Sequence, residues 1–318
     1  MVVLSFIDRV TDIESLIVEF IQKMQNGFFD FIFKAITQLG DRFFFILLAA
    51  IAYWIYDKRF AFKLTLGYLG SSVVTGLLKV GIKRVRPYND VRQGWIEPIG
   101  PKETSGSFPS GHATSTGSLS YSIFTENKGK HKWIKWVLLA YMILVPFSRM
   151  YLGHHYPTDL LAGLIVGVFV TMFIFKVIDL FGEKEHIYAL ALIPVALVVL
   201  IVGETVLKRD YDYGQIKDLY VIAGSLVGFV GGYFLEKKYI EYDVKAPWKT
   251  QLLKVLLGLA ITLALYFGLS GIFKAIKPEN LVLDFIRYTI VAFYVAVGAP
   301  WMFKKIFSKQ DDKQKKVQ

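Results

Sequence analysis

The sequence predicts an all-α membrane protein: a polytopic transmembrane helical bundle of about nine spans, preceded by an N-terminal interfacial amphipathic helix. Hydrophobic residues occupy 54% of the 318 positions, and the mean hydropathy of +0.44 is high for a soluble domain. The apolar residues occur in long runs separated by short charged breaks, which is typical of helices surrounded by hydrocarbon. These observations argue against a soluble globular fold.

The first 25 or so residues predict a helix that lies along the membrane surface. Acidic residues such as Asp8 and Asp12 interrupt any apolar core, so the segment is not a typical cleavable signal. Apolar residues nevertheless recur at three- and four-residue steps: Phe6, Val10, Ile13, Ile17, Phe20 and Met24. This spacing places them on one face of a helix. We therefore assign residues 1–40 to an N-terminal interfacial segment.

Hydropathy and length predict the spans that follow. They are expected at about 43–56, 62–80, 112–125, 134–150, 159–180, 187–207, 219–235, 251–273 and 285–303. The third has poor hydropathy because it is rich in small polar residues, but such residues allow close helix packing. We divide the rest of the chain into a core of about six spans over 41–207, about three additional spans over 208–304, and a charged cytoplasmic tail over 305–318.

Charge and tryptophan positions predict the orientation. Lysine and arginine are moderately more frequent at one set of alternate span ends, which includes the tail, once the cations assigned to ligand binding are set aside. Five tryptophans fall near the same ends: Trp54, Trp133, Trp136, Trp248 and Trp301. The C-terminus is therefore predicted to be cytoplasmic, and three polar stretches are predicted to lie together on the outer side.

The first polar stretch is KVGIKRVRP, residues 79–87. Lys79 and Arg86 are seven residues apart, which would place both side chains on one helix face near its outer end. Pro87 predicts the end of regular structure. Taken alone, the stretch is more typical of cations that extend from a membrane boundary into water.

The second stretch is PSGH, residues 109–112. Gly111 allows backbone amides to turn toward a ligand, Ser110 adds a hydroxyl, and the following helix start adds a positive dipole end. These features predict an anion-binding site with His112 at its edge. An ordinary helix cap is the alternative interpretation.

The third stretch is SRMYLGHHYPTD, residues 148–159. Arg149 can bind two phosphate oxygens at once. A helix that begins at Pro157 would place Asp159 one turn beyond His155, where its carboxylate can accept a hydrogen bond from the ring. A histidine oriented in this way presents its other nitrogen as an unprotonated nucleophile or base.

Two nearby residues are candidates for substrate contact. His154 has no carboxylate four residues ahead, so we expect it to contact the substrate beside His155 rather than to react. Tyr88 begins a loop that reaches Ser107, includes Trp95, Glu97 and Glu103, and is expected to overhang the site and select headgroups.

Together the three stretches resemble the tripartite signature K-x6-RP, PSGH and SR-x5-H-x3-D of the type 2 phosphatidic acid phosphatase superfamily, the integral-membrane lipid phosphate phosphatases. The matching positions are Lys79, Arg86, Pro87, Pro109 to His112, Ser148, Arg149, His155 and Asp159. The resemblance covers about residues 28–200 and leaves the last spans unexplained.

The resemblance implies a metal-independent lipid phosphate phosphatase without a cofactor. His155 would attack phosphorus and form a phosphohistidine, Asp159 would orient it, and His112 would protonate the leaving oxygen. The phosphate oxygens would be held by Lys79, Arg86, Arg149, Ser110 and the amide of Gly111. The substrate would be a lipid phosphomonoester or pyrophosphate, such as undecaprenyl pyrophosphate or a glycerophospholipid phosphate.

Several other classes fit less well. A phosphotransferase would use the same phosphohistidine but pass the group to another lipid or glycan. A vanadium haloperoxidase shares the anion site but is typically soluble, and a non-catalytic lipid-binding protein would not need every catalytic position filled. The absence of cysteine excludes thiolate metal sites and cysteine nucleophiles.

The predicted partners are the bilayer and a lipid phosphate. The net charge of +11 comes from lysines spread over short loops and the tail, so we predict no nucleic-acid partner. The glycine-rich GSLVGFVGGYF, residues 224–234, is interpreted as either a homo-oligomer interface or a wall for lipid access. The location expected is a bacterial cell membrane, with the active site on the outer side.

Overall fold

The computed structural model describes residues 2–90, 96–202, 205 and 213–315, and within these ranges the chain is helical without a strand. The helices are α1 (Val2–Gln22), α2 (Gly27–Gln38), α3 (Arg42–Ile51), α4 (Lys58–Ile82), α5 (Gly111–Asn127), α6 (Ile134–Tyr151), α7 (Pro157–Phe181), α8 (Glu185–Tyr188), α9 (Leu192–Val202), α10 (Tyr213–Leu235), α11 (Trp248–Ile276), α12 (Leu281–Phe293) and α13 (Ala299–Lys315). The all-α prediction is confirmed. Trp95 and the end of the sixth predicted span lie outside the described residues.

Contacts divide the chain into two compact units. The first consists of Met1–Phe45 and Gly70–Phe173, and the second of Ile46–Leu69 and Ile174–Gln318. All three polar stretches belong to the first unit. The four segments expected from the sequence remain a prediction.

Six helical segments in the described ranges are long and apolar enough to cross a membrane. A seventh is possible, because α2 and α3, which a π-helical turn extends to Tyr56, could together form one span with a bend of 47°. One of the six, Pro157–Val202, has 46 residues, enough for two crossings at about 1.5 Å per residue. The polar α5 is not among them. A polytopic membrane protein is therefore confirmed, while the count of nine stays a prediction.

Small residues bring α5 and α7 into close contact inside the first unit. A Cβ atom at Gly117 would lie 2.5 Å from the carbonyl oxygen of Leu164, and one at Gly163 would lie 2.5 Å from that of Ser110. The buried residues of α5 are mostly serine, threonine, alanine and glycine. This is the packing that the sequence predicts for a span of small polar residues.

Helix α1 presents two different faces. Ile13, Leu16, Ile17 and Phe20 are exposed large apolar residues, as an interfacial helix requires. On the other face Glu14 is buried, together with neighbouring Thr11 and Ser15. The helix is therefore also part of the packed protein.

The second unit has an aromatic core. Phe62 stacks on Tyr233 at 4.1 Å between ring centroids, and the indole of Trp54 donates a hydrogen bond to the carbonyl of Val295 at 2.9 Å. In the glycine-rich segment Gly224 and Gly228 pack against the α12 backbone of the same chain. These glycines serve an internal helix contact, and the oligomer interface remains a prediction.

Candidate active site

Asp159 is fully buried in the first turn of α7, which begins at Pro157 as expected. One carboxylate oxygen, Oδ2, accepts hydrogen bonds from the amide of Tyr156 at 2.9 Å and from the hydroxyl of Ser107 at 2.5 Å. The other, Oδ1, accepts one from Nη1 of Arg84 at 2.7 Å. A buried carboxylate with this many donors is held in one orientation.

His155 lies between this carboxylate and an arginine. Its Nδ1 is 3.5 Å from Oδ2 of Asp159 and 3.4 Å from the hydroxyl oxygen of Ser107. Its Nε2 is 3.3 Å from Nη1 of Arg86. Because a guanidinium can only donate, Nε2 must be the accepting, unprotonated nitrogen and Nδ1 the one that carries hydrogen.

The charge state of His155 agrees with this tautomer. Burial lowers the pKa of His155 well below its ordinary value, and the neighbouring cations Arg86, Arg149 and Lys79 lower it further. The ring is therefore neutral at neutral pH, with its Nε2 lone pair on the arginine side.

The sequence predicts a direct hydrogen bond between His155 and Asp159, but the structure shows a looser arrangement. Their separation of 3.5 Å exceeds the usual 2.7–3.2 Å of such bonds. The hydroxyl of Ser107 is close to both groups and donates to the carboxylate. Ser107 was not predicted as a site residue because it lies in an irregular loop, where spacing along the chain carries no information about proximity.

Arg86 does not lie on the same helix as Lys79, and that expectation is wrong. Helix α4 ends at Ile82, Lys83 has a positive φ of 52°, and Arg86 is extended with φ −76° and ψ 154°. The two cations still belong to one site. The Lys79 ammonium donates to the carbonyl of Gly106 at 2.6 Å, and it is among the charges that lower the pKa of His155.

Arg86 and Arg149 share one carboxylate, that of Glu103. Nη2 of Arg86 lies 2.6 Å from Oε2 of Glu103, and Nη2 of Arg149 donates to Oε1. Burial would raise the pKa of Glu103, but the two arginines outweigh it and hold this pKa well below the ordinary value. Positive charge on His155 or His112 would lower the same pKa, because both histidines are near enough for a Coulombic interaction with this carboxylate.

The PSGH stretch ends at the start of α5, as expected. Ser110 is the residue that precedes the helix, and its side chain makes no capping hydrogen bond. Its hydroxyl is buried without a partner among the described residues. Nothing lies within 4 Å of the Cβ position of Gly111. A buried hydroxyl beside an open helix start is a suitable environment for an anionic oxygen.

His154 and Tyr88 hold the loop that overhangs the site. Nε2 of His154 is 3.2 Å from the carbonyl oxygen of Ile99, and burial, followed by the charge of Arg149, lowers the pKa of His154 to about 4. The hydroxyl of Tyr88 donates to the carbonyl of Glu103 at 3.1 Å and accepts from its amide at 2.9 Å. Substrate contact by either residue remains a prediction.

Two further site residues were missed from the sequence. Arg84 lies inside the quoted KVGIKRVRP and binds Asp159, while its Nη2 contacts Oε2 of Glu14 at 2.6 Å. Glu14 also accepts from the amide of Thr158 at 2.5 Å. Arg84 could have been found as a third cation of the stretch, but nothing in the sequence pairs it with a residue 70 positions earlier.

Across the ranges that the structure describes, no group of three or more histidine, aspartate and glutamate side chains is arranged to hold a metal ion. Metal independence remains a prediction for the assay below.

Comparison with known families agrees with the site. The pattern described as the PAP2 superfamily matches residues 60–183, and the pattern described as a PAP2 superfamily phosphatase transmembrane extension matches residues 220–311. The chain belongs to the PAP2 superfamily. It is a membrane lipid phosphatase, a hydrolase of phosphate esters or diphosphates. The second match also accounts for the last predicted spans, which the sequence signature leaves unexplained.

Curated relatives of this PAP2 protein cover about half of its chain or less. An undecaprenyl-diphosphatase of Bacillus subtilis (strain 168) is 28% identical over 158 residues, which are 49% of this chain and 78% of the relative. An undecaprenyl-diphosphatase of Sulfolobus acidocaldarius is 30% identical over 116 residues, 36% of this chain and 53% of the relative. A lipid A 4'-phosphatase of Bacteroides thetaiotaomicron is 27% identical over 175 residues, 51% of this chain and 76% of the relative.

A crystal structure of a PAP2-type phosphatidylglycerolphosphate phosphatase from Bacillus subtilis also resembles the chain. Its TM-score is 0.46 at 24% identity, over 54% of this chain and 87% of that one.

Proposed function

We propose that the protein hydrolyses a lipid phosphomonoester or pyrophosphate through a phosphohistidine on His155. The observation that carries this proposal is the orientation of that ring: Nδ1 faces Asp159 and Ser107, and the unprotonated Nε2 faces Arg86. A nucleophile needs this lone pair free of a proton, next to cations that bind the phosphoryl oxygens.

The reaction follows from these positions in two steps. Nε2 of His155 attacks phosphorus, the bond from phosphorus to the leaving oxygen breaks, and His112 donates a proton to that oxygen. His112 then takes a proton from water, which attacks the phosphohistidine, breaks the phosphorus–nitrogen bond and releases orthophosphate. Arg86, Arg149 and Lys79 stabilise the charge on the oxygens, together with the hydroxyl of Ser110 and the amide of Gly111.

The substrate class rests on the relatives and the membrane location. Undecaprenyl-diphosphatase, lipid A 4'-phosphatase and phosphatidylglycerophosphatase B are among the names of the relatives. We propose an isoprenyl pyrophosphate or a glycerophospholipid phosphate as substrate, bound from the outer side of a bacterial cell membrane with the C-terminus in the cytoplasm. A cysteine-labelling topology assay would test this orientation, because the chain has no native cysteine.

A transferase is the second candidate, because the same phosphohistidine can pass its phosphoryl group to a lipid or glycan hydroxyl instead of water. It would be favoured by a rate that rises on addition of an acceptor, with little orthophosphate released from pure substrate.

The decisive experiment measures phosphate release in detergent with a metal chelator. Undecaprenyl pyrophosphate, phosphatidic acid and phosphatidylglycerol phosphate are compared as substrates, and the native chain is compared with His155→Ala. We expect release from at least one lipid without metal, and loss of it in the variant. Rapid acid-free quenching with ³²P-labelled substrate should trap label on the native chain.

The matched control is His131→Ala, because His131 is exposed on the loop between α5 and α6. Equal activity of the His155 variant and the native chain, or dependence on added Mg²⁺, would contradict the mechanism.

A further inference from the structure

The phosphate-binding arginines already hold an anion that belongs to the protein. The carboxylate of Glu103 binds Arg86 through one oxygen, at 2.6 Å, and Arg149 through the other. Residues 96–107, here named the strap, carry this glutamate over the site. A carboxylate bridging two guanidinium groups presents the same paired acceptor oxygens as a phosphoryl group.

The bridge and a substrate phosphate would compete for these two arginines. Arg86 also donates from Nε to the carbonyl of Ser105 at 2.9 Å and from Nη1 to the carbonyl of His154 at 3.2 Å, and Nη1 lies 3.3 Å from Nε2 of His155. Its Nη2 donates to Oε2 of Glu103 at 2.6 Å. A phosphoryl group on Nε2 of His155 would lie beside the same guanidinium, whose Nη1 is 3.3 Å from Nε2, so its oxygens and the carboxylate would compete for Arg86.

Glu103 is the exchangeable member of the cluster. Its side chain is 35% exposed, whereas those of Arg86 and Arg149 are 1% and 6% exposed. The strap itself is fixed by main-chain contacts: the amide of Ile99 donates to the carbonyl of Leu152 at 3.0 Å, and the main chain of Glu103 bonds Tyr88. The carboxylate can therefore swing away by side-chain rotation while the strap stays in place.

We propose that Glu103 is an internal competitor for the phosphate site. Its carboxylate occupies Arg86 and Arg149 between turnovers, substrate displaces it, and its return expels the orthophosphate product. The inference rests on the proposed function, because it needs these arginines to be the phosphate donors. It assigns to Glu103 the control of how tightly the site holds phosphate.

The size of the effect follows from competition. The apparent Kd of a site equals its intrinsic Kd divided by the fraction of time that the site is open. A bridge present for about 90–99% of the time therefore raises the Kd for phosphate about 10- to 100-fold. Removing the charge should restore this affinity. A strongly cationic pocket without such a competitor would retain its product.

The test measures binding of sodium orthophosphate to the purified full-length chain in detergent by isothermal titration calorimetry. We expect Glu103→Gln to bind orthophosphate at least about tenfold more tightly than the native chain. Glu103→Ala should do the same, and it serves as the second variant if the amide disturbs the fold. Glu97→Gln is the matched control, because Glu97 is an exposed glutamate of the same strap.

Steady-state kinetics gives an independent readout. In Glu103→Gln both KM and the inhibition constant of orthophosphate should fall, and kcat should fall where product release limits turnover. Unchanged or weaker orthophosphate binding in both Glu103 variants would overturn the inference while leaving an active phosphatase intact. An equal gain in Glu97→Gln would also overturn it, by showing a general charge effect. Failure of every protein to bind orthophosphate or release it from lipids would instead remove the proposed function.

Discussion

Two glutamates contact arginines of this site, and they differ in how firmly they are held. Glu14, on α1, has a side chain that is 6% exposed, and it accepts from Arg84 and from the amide and hydroxyl of Thr158. Glu103, on the strap, is 35% exposed, and its carboxylate binds Arg86 and Arg149 and lies 3.8 Å from the ring of His154. Its main chain bonds the hydroxyl of Tyr88.

This difference separates a structural ion pair from an exchangeable one. Arg84 binds both Glu14 and Asp159, so this pair stabilises the orientation of the carboxylate that we propose to be catalytic. Glu103 instead binds Arg86 and Arg149, the proposed phosphate donors. Changes at Glu14 should therefore alter kcat and stability, whereas changes at Glu103 should alter phosphate affinity.

The largest effect is expected for Arg84→Met, which breaks the inner ion pairs. It leaves Asp159 and Glu14 buried without their shared cation, which costs about 3–5 kcal/mol of stability. Misplacement of the catalytic group should also lower kcat/KM by about 10²-fold. Thermal unfolding in detergent and phosphate release measure the two effects. A variant as stable as the native chain would show that Arg84 has no positioning role.

Glu14→Gln should have a smaller effect of the same kind. Arg84 keeps Asp159 as a partner, so the loss in unfolding free energy should be about 1–3 kcal/mol. We expect kcat to fall about tenfold with little change in KM, because the phosphate donors are untouched. Glu19→Gln is the control on the same helix, since the structure pairs Glu19 with the exposed Lys23. A change in KM with normal kcat would make Glu14 resemble Glu103 and remove the distinction.

The sequence predicts the site better than the contacts that support it. Lys79, His155 and Asp159 belong to motifs whose chemistry and spacing indicate phosphate binding, and the structure brings them into one unit. The prediction that a helix begins at Pro157 and carries Asp159 in its first turn is confirmed, because the start of α7 is encoded by the local sequence. Helical spacing fails for Arg86, because Lys83 ends α4 in a left-handed conformation before the second turn.

The supporting residues are separated along the chain from what they contact. Glu14 contacts Arg84 because α1 packs against the rest of the first unit. Glu103 contacts Arg149 because the irregular strap places it there. Such contacts depend on tertiary structure, which periodicity does not encode. The expected interfacial face of α1 is present, but amphipathicity alone could not show that Glu14 on its polar face binds Arg84.

The smallest expected effect is a shift in the acidic limb of the pH profile, and it distinguishes the two glutamates most directly. In the proposed mechanism only neutral His155 attacks, so kcat/KM should fall as pH drops through the pKa of His155. Burial and then Arg86 hold this pKa below the ordinary value of about 6.5. Glu103 opposes this lowering. Neutralising it should move the acidic limb to still lower pH.

We therefore expect the acidic limb of Glu103→Gln to lie below that of the native chain, and that of Glu14→Gln to coincide with the native one. The measurement is kcat/KM against pH for all three proteins with one substrate, so that ionisation of the substrate, with a second phosphate pKa of about 6, affects each profile equally. An equal displacement in both variants would mean that the electrostatic influence of Glu14 reaches His155 as strongly as that of Glu103. In that case the distinction between a fixed and an exchangeable carboxylate would not hold at the proposed nucleophile, His155.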